Sequence, residues 1–64
     1  MRENLKQARK EKGLTQQMVA DYLDISLVHY KGIESGARLG KIALWDALED
    51  LFNVHQRILR INNH

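Results

Sequence analysis

Three groups of side chains in this sequence could do chemistry: the histidines, a cluster of carboxylates at Asp46, Glu49 and Asp50, and the basic residues. The histidines stand at positions 29, 55 and 64. No two are spaced four apart on one helix and the chain has no cysteine, so no metal-ligand set is visible and neither a metal nor another cofactor is expected. The carboxylates could suggest a catalytic pair. A chain of 64 residues, however, buries only about 60% of the surface its unfolded form exposes, which leaves little room for an enclosed active site. The cluster therefore reads as a solvated helix face, and with neither a nucleophile–base pair nor a cofactor loop present, no enzymatic activity is expected. Trp45 and Phe52 could form a stacking platform, but their spacing within an apolar stripe assigns them to the core.

The basic residues remain. Arg2, Lys6, Arg9, Lys10 and Lys12 crowd the first segment, Lys31, Arg38 and Lys41 lie in the middle, and Arg57 and Arg60 near the end. The formal charge is only +2, which permits an anionic partner without requiring one. The distribution, with the acids Asp46, Glu49 and Asp50 gathered between the last two groups, reads as one basic and one acidic side. The first residues run into charged sequence without the apolar stretch of a signal peptide, and no apolar run approaches the ~20 residues a bilayer requires. A cysteine-free interior fits the cytoplasm, and so small a domain without disulfides is expected to self-associate.

The elements that must position these groups read as helices throughout. Proline is absent, and the glycines at 13, 32, 36 and 40 can mostly punctuate helices, leaving Gly32 to be explained separately. The first helix is predicted over Arg2 to Lys12, with Leu5 and Ala8 apolar and Gly13 as its left-handed terminator. Thr15 is the expected N-cap of a second helix ending near Leu23, whose apolar face is Met18, Val19, Tyr22 and Leu23. After Asp24-Ile25-Ser26, with Ser26 as cap, a third helix carries Tyr30 and Ile33 and closes at Ser35-Gly36. So short a link forces a sharp crossing, the geometry of a helix-turn-helix unit. The strongest helix runs from Lys41 to Phe52, with Ile42, Trp45, Leu48 and Phe52 on one side and Leu44 and Leu51 widening the stripe. Asn53 is its expected left-handed cap, Val54 packs back, and Gln56 to Ile61 form a weaker amphipathic element.

The run Gly13-Leu14-Thr15-Gln16-Gln17-Met18-Val19-Ala20-Asp21-Tyr22-Leu23, then Asp24-Ile25-Ser26 and Ile33-Glu34-Ser35-Gly36, resembles the phage repressor and Cro-type (Xre) helix-turn-helix family over roughly Leu5 to Leu59. The resemblance implies an all-α, compact, five-helix domain of the lambda-repressor type over residues 1–61, with 62–64 as a disordered tail. It implies a third helix that reads bases, and a homodimer on a two-fold symmetric operator in double-stranded DNA. It also implies that Gln16 meets the DNA backbone and buttresses a base reader, and that Arg9 and Glu34 form a structural salt bridge. Asp24 stands where the family usually has glycine, Leu27 and Val28 are apolar where polar readers are common, and Gly32 weakens the recognition helix by about 0.5 to 1 kcal/mol relative to alanine.

The expected DNA-binding set is Thr15, Gln16, Gln17, Ser26, Leu27, Val28, His29, Lys31, Arg38 and Lys41. Lys31, Arg38 and Lys41 are placed to neutralise phosphates, and the amides near Thr15 and Gln16 point a helix N-terminus at one. His29 can donate or accept at a purine edge, Lys31 can donate to guanine O6 or N7, and Leu27 or Val28 can meet a thymine methyl. Val54, Ile58, Leu59 and Ile61 are the expected dimer interface. The function expected is a repressor of the phage, prophage or mobile-element kind, with no small-molecule substrate and no membrane partner. The alternative is a protein-interaction module, an antirepressor or antitoxin-like partner using Leu27, Val28 and Tyr30 against protein.

Overall fold

In the computed structural model, which describes residues 1–63, the chain forms α1 (Glu3–Glu11), α2 (Gln16–Leu23), α3 (Leu27–Ser35), α4 (Ile42–Phe52) and α5 (Gln56–Leu59). Local chemistry at the ends explains most of these boundaries. α1 has Glu3 in its first turn and Arg9 and Lys10 in its last, each opposing the helix dipole. It stops at Gly13, whose φ of 70° is left-handed. There the Gly13 amide donates to the Lys10 carbonyl at 2.9 Å and the Leu14 amide to that of Arg9 at 3.1 Å, the paired bonds of a Schellman terminus.

α2 begins where the Thr15 hydroxyl accepts from the Met18 amide at 3.1 Å. It ends in a second Schellman pair: Asp24, at φ 57°, donates to Asp21, and Ile25 donates to Ala20. Ser26 then caps α3 by accepting from the His29 amide at 3.0 Å. Because terminator and cap occupy Asp24 to Ser26 between them, α3 starts three residues after α2 ends and packs against it. α4 ends at Asn53 (φ 55°), whose amide donates to Glu49 at 2.8 Å.

Leu5, Val19, Ala20, Tyr30, Ile33, Trp45, Leu48, Phe52 and Leu59 form one core contributed by every helix, with Ala8, Leu14, Leu23, Ile25, Leu44, Leu51 and Val54 packed around it. Three expected core positions lie outside it. Met18 and Tyr22 are half exposed, since the buried stripe of α2 runs through Val19, Ala20 and Leu23 and leaves their side at its margin. Ile42 is 77% exposed. One turn later the Trp45 indole folds back on the preceding loop, donating from Nε1 to the Leu39 carbonyl at 2.8 Å, so this end of the core is closed without Ile42.

Arg2 also departs from its expected place on a basic surface, for it is only 4% exposed. Its backbone amide donates to the Glu34 carbonyl at 2.8 Å. Its guanidinium donates to the carbonyls of Ile33, Arg38 and Arg60 and lies 5.1 Å from the centre of the Trp45 ring. The cation thus neutralises the carbonyl end of α3 while tying it to both the following loop and the end of α5. Burial, and then the charge of Arg60, lower its pKa from the ordinary guanidinium value.

In the stretch read as a disordered tail, the Asn63 amide donates to the Met1 carbonyl at 2.8 Å and the Asn62 side-chain amide to the Gly36 carbonyl at 3.3 Å. His64 lies outside the described residues.

Candidate nucleic-acid interface

At 100° per residue, α3 divides into two faces. Tyr30, Ile33 and Glu34 are buried, and Val28, Lys31, Gly32 and Ser35 point the other way, with the half-buried Leu27 and His29 on the flanks. Tyr30 therefore packs inside the domain and is unavailable to a protein partner, which corrects that part of the interaction-module expectation.

The orientation of α3 depends on Glu34. Its carboxylate accepts a two-pronged pair from Arg9, Nε to Oε2 at 2.9 Å and Nη2 to Oε1 at 3.0 Å, as the resemblance implied. The Tyr30 hydroxyl donates to Oε2 at 2.7 Å and the Gln16 amide to Oε1 at 3.3 Å, while the remaining Arg9 prong, Nη1, donates to the Leu14 carbonyl at 2.9 Å. Burial pushes the Glu34 carboxyl up, but the bonds from Arg9 and Tyr30 and the Arg9 charge outweigh it, and the pKa lies below the ordinary carboxylate value. The bond to Glu34 raises that of Arg9. Burial, then the bond to Glu34, pushes the Tyr30 phenol well up, so it stays a donor. One buried carboxylate thus joins α1, the start of α2 and α3.

Above this network lies an open groove of about 460 Å³ lined by Lys6, Lys10, Gln16, Lys31 and Ser35, with Arg9 and Glu34 at its base. Lys6 and Lys10 stand i, i+4 on α1 and meet Lys31 of α3 across it. Three ammonium groups around a groove whose own carboxylate is already paired make an attractive place for phosphate oxygens. Lys6 and Lys10 were not among the expected site residues. Their spacing on α1 was visible in the sequence, but that they face Lys31 depends on how α1 docks.

Of the expected set, Thr15, Gln17, Ser26, Val28, Lys31, Arg38 and Lys41 are exposed, and Gln16, Leu27 and His29 half-buried. The roles of several are local. The hydroxyls of Thr15 and Ser26 are occupied as caps, Gln17 donates to Asp21 at 2.8 Å within α2, and the Gln16 amide is drawn toward Glu34. His29 and Lys41 flank a second, more apolar recess of about 310 Å³ with Tyr22, Ile25 and Leu44, on the far side of α3 from Lys6 and Lys10.

The expected dimer set is divided. Leu59 is fully buried and cannot meet another subunit without unfolding α5, Val54 is half-buried against the same core, and Ile58 and Ile61 remain 41% and 46% exposed. Gln56, on the same short helix, donates to Asp46 and Glu49 at 2.7 and 3.0 Å, so part of the acidic cluster pins α5 to α4.

Compared with known families, residues 5–55 match a helix-turn-helix family model, which takes in every residue of α1 beyond Asn4, all of α2 to α4 and the turns between them. No curated protein and no solved structure gives a match.

Proposed function

The chain belongs to the Xre/Cro/CI-type helix-turn-helix family, a family of DNA-binding regulators, and from that premise we propose that it is a sequence-specific transcriptional repressor of the phage or mobile-element kind, acting on DNA in the cytoplasm. It docks α3 in the major groove of a palindromic operator as one half of a homodimer. The observation that supports this reading most is the pose of α3: joined to α2 by three residues and packed on it, fastened from behind by Glu34, and leaving Val28, Lys31 and Gly32 facing outward beside the lysine-lined groove. Phosphates held at Lys6, Lys10 and Lys31 set the register of the helix, and residues of the outward face and its flanks, His29 among them, meet base edges. Occupancy of a promoter is then sufficient for repression.

A second reading, a protein-interaction module, is favoured by the exposure of Val28, Leu39 and Ile42, at 73%, 83% and 77%. Selection of bound duplexes from a random pool, followed by titration of the winner at two salt concentrations, separates the two readings. Enrichment of an inverted repeat, affinity that falls steeply with salt, and loss of both in a His29→Ala, Lys31→Ala double variant are the results expected of the repressor. No enrichment, with salt-insensitive capture of a protein, would overturn it.

A further inference from the structure

Gly32 stands in the middle of α3, on its outward face and one turn after Val28. A glycine there weakens the helix, and the neighbouring loop shows what its missing side chain makes room for. A Cβ added at Gly32 would come 2.8 Å from Cδ of Arg38 and 3.0 Å from both its Cγ and its Nε. The Arg38 stem therefore lies flat against the backbone of α3, in the gap that any other residue would fill. Its main chain is fastened at both ends. The Arg38 amide donates to the Gly32 carbonyl at 3.1 Å, and the Arg38 carbonyl accepts from the buried guanidinium of Arg2 at 2.7 Å. The residue itself is exposed, and among the described residues its guanidinium has no carboxylate partner.

The sequence reading of Arg38 was a phosphate contact made from a loop. Phosphate neutralisation asks only for reach, and a freely extended arginine supplies it without a gap in α3. A base edge asks for a stem fixed relative to the helix that enters the groove. We propose that Arg38, seated through the gap at Gly32, serves α3 as an adopted side chain and reads a guanine in the major groove. This rests on the reading of α3 as the groove-entering helix. The guanidinium fork matches O6 and N7 of guanine together, and a stem already ordered in the free protein loses less freedom on binding.

The test is selection from random duplex DNA with wild type, Arg38→Ala, Arg38→Lys and Gly32→Ala, each checked for folding by circular dichroism. Wild type should enrich a half-site containing one guanine whose preference over other bases falls roughly 5- to 150-fold in Arg38→Ala, with the remaining positions kept. Arg38→Lys should lose it too, because an ammonium cannot form the fork. Gly32→Ala keeps the arginine but evicts it from its seat, so the same guanine preference should fall while the thermal midpoint rises, a pairing that a merely structural glycine would not produce. Uniform weakening of all sequences by Arg38→Ala, with the salt slope reduced by about one, would make Arg38 a phosphate contact and overturn the assignment. So would a guanine preference that survives in Gly32→Ala. Failure of wild type to enrich any duplex would instead remove the DNA-reading premise, an outcome distinct from a wild-type motif that the variants leave intact.

Discussion

Glu34 is 3% exposed and accepts from Arg9, Tyr30 and Gln16, so its ionisation is tied to the folded state. Its folded pKa is depressed from the ordinary 4.5. A depressed carboxylate contributes stability that is fully present above its unfolded pKa and lost as pH falls through the folded one. Wild type should therefore lose stability progressively below the ordinary value. In Glu34→Gln the Arg9 guanidinium is left buried without a counter-charge, a change that costs about 3 to 5 kcal/mol at neutral pH. The difference between the two proteins in urea unfolding should shrink as the pH falls from neutral to below the ordinary carboxylate value. A gap of the same size at both pH values would mean that the Arg9–Glu34 charge pair is not its source. The pair itself was legible as a resemblance, whereas the Tyr30 and Gln16 bonds, which depend on how α2 and α3 pack together, were not. Arg2 was misread for a related reason. Nothing in the local sequence distinguishes a cation bound for solvent from one drawn under the end of another helix some thirty positions away.

At the level of the elements, most of the fold could be read directly because helix ends are local events. Gly13, Thr15, Asp24, Ser26, Gly36 and Asn53 act as terminators or caps, the glycines through their backbone freedom and Thr15 and Ser26 through their hydroxyls. Apolar periodicity was less reliable. It predicts which side of a helix is apolar but not how far along that side a neighbour reaches, which is why Ile42 lies in solvent while Trp45, on the same stripe, is buried. The cap between α2 and α3 sets the pose of the recognition helix, and two substitutions there should act in opposite directions. Ser26→Ala removes the acceptor for the His29 amide and should cost about 1 kcal/mol of stability, together with affinity for the operator, as the first turn of α3 frays. Asp24→Gly relieves a left-handed backbone at φ 57° and should raise stability by up to about 1 kcal/mol. Chemical denaturation of both variants checks these signs. A Ser26→Ala protein as stable as wild type would show that the His29 amide is equally well satisfied by water.

The described residues measure 25 × 22 × 20 Å, shorter in every direction than the about 34 Å that separates successive major-groove faces on one side of B-DNA. One copy can therefore occupy a single half-site only, and a palindromic operator requires two. The surface left for pairing is small, however, because among the described residues near the end of the chain Leu59 is committed to the core, Val54 is half-buried against it, and Ile58 and Ile61 are the exposed large apolar side chains. A stable dimer buries on the order of 800 Å² from each partner, a large share of the 4182 Å² this domain exposes and more than two isoleucines provide. The expected behaviour is a 7.5 kDa species in free solution at micromolar concentration that doubles only on operator DNA, where the duplex holds two copies side by side at high effective concentration. Sedimentation with and without a two-half-site duplex measures this directly. Ile58→Glu with Ile61→Glu should abolish the cooperativity between half-sites while leaving affinity for a single half-site within about threefold of wild type, since neither side chain lies on α3 or in the lysine-lined groove. Cooperativity that survives the double charge substitution would move the contact between copies to another surface, and the exposed Leu39, in the loop before α4, and Ile42, at its start, would be the next residues to change.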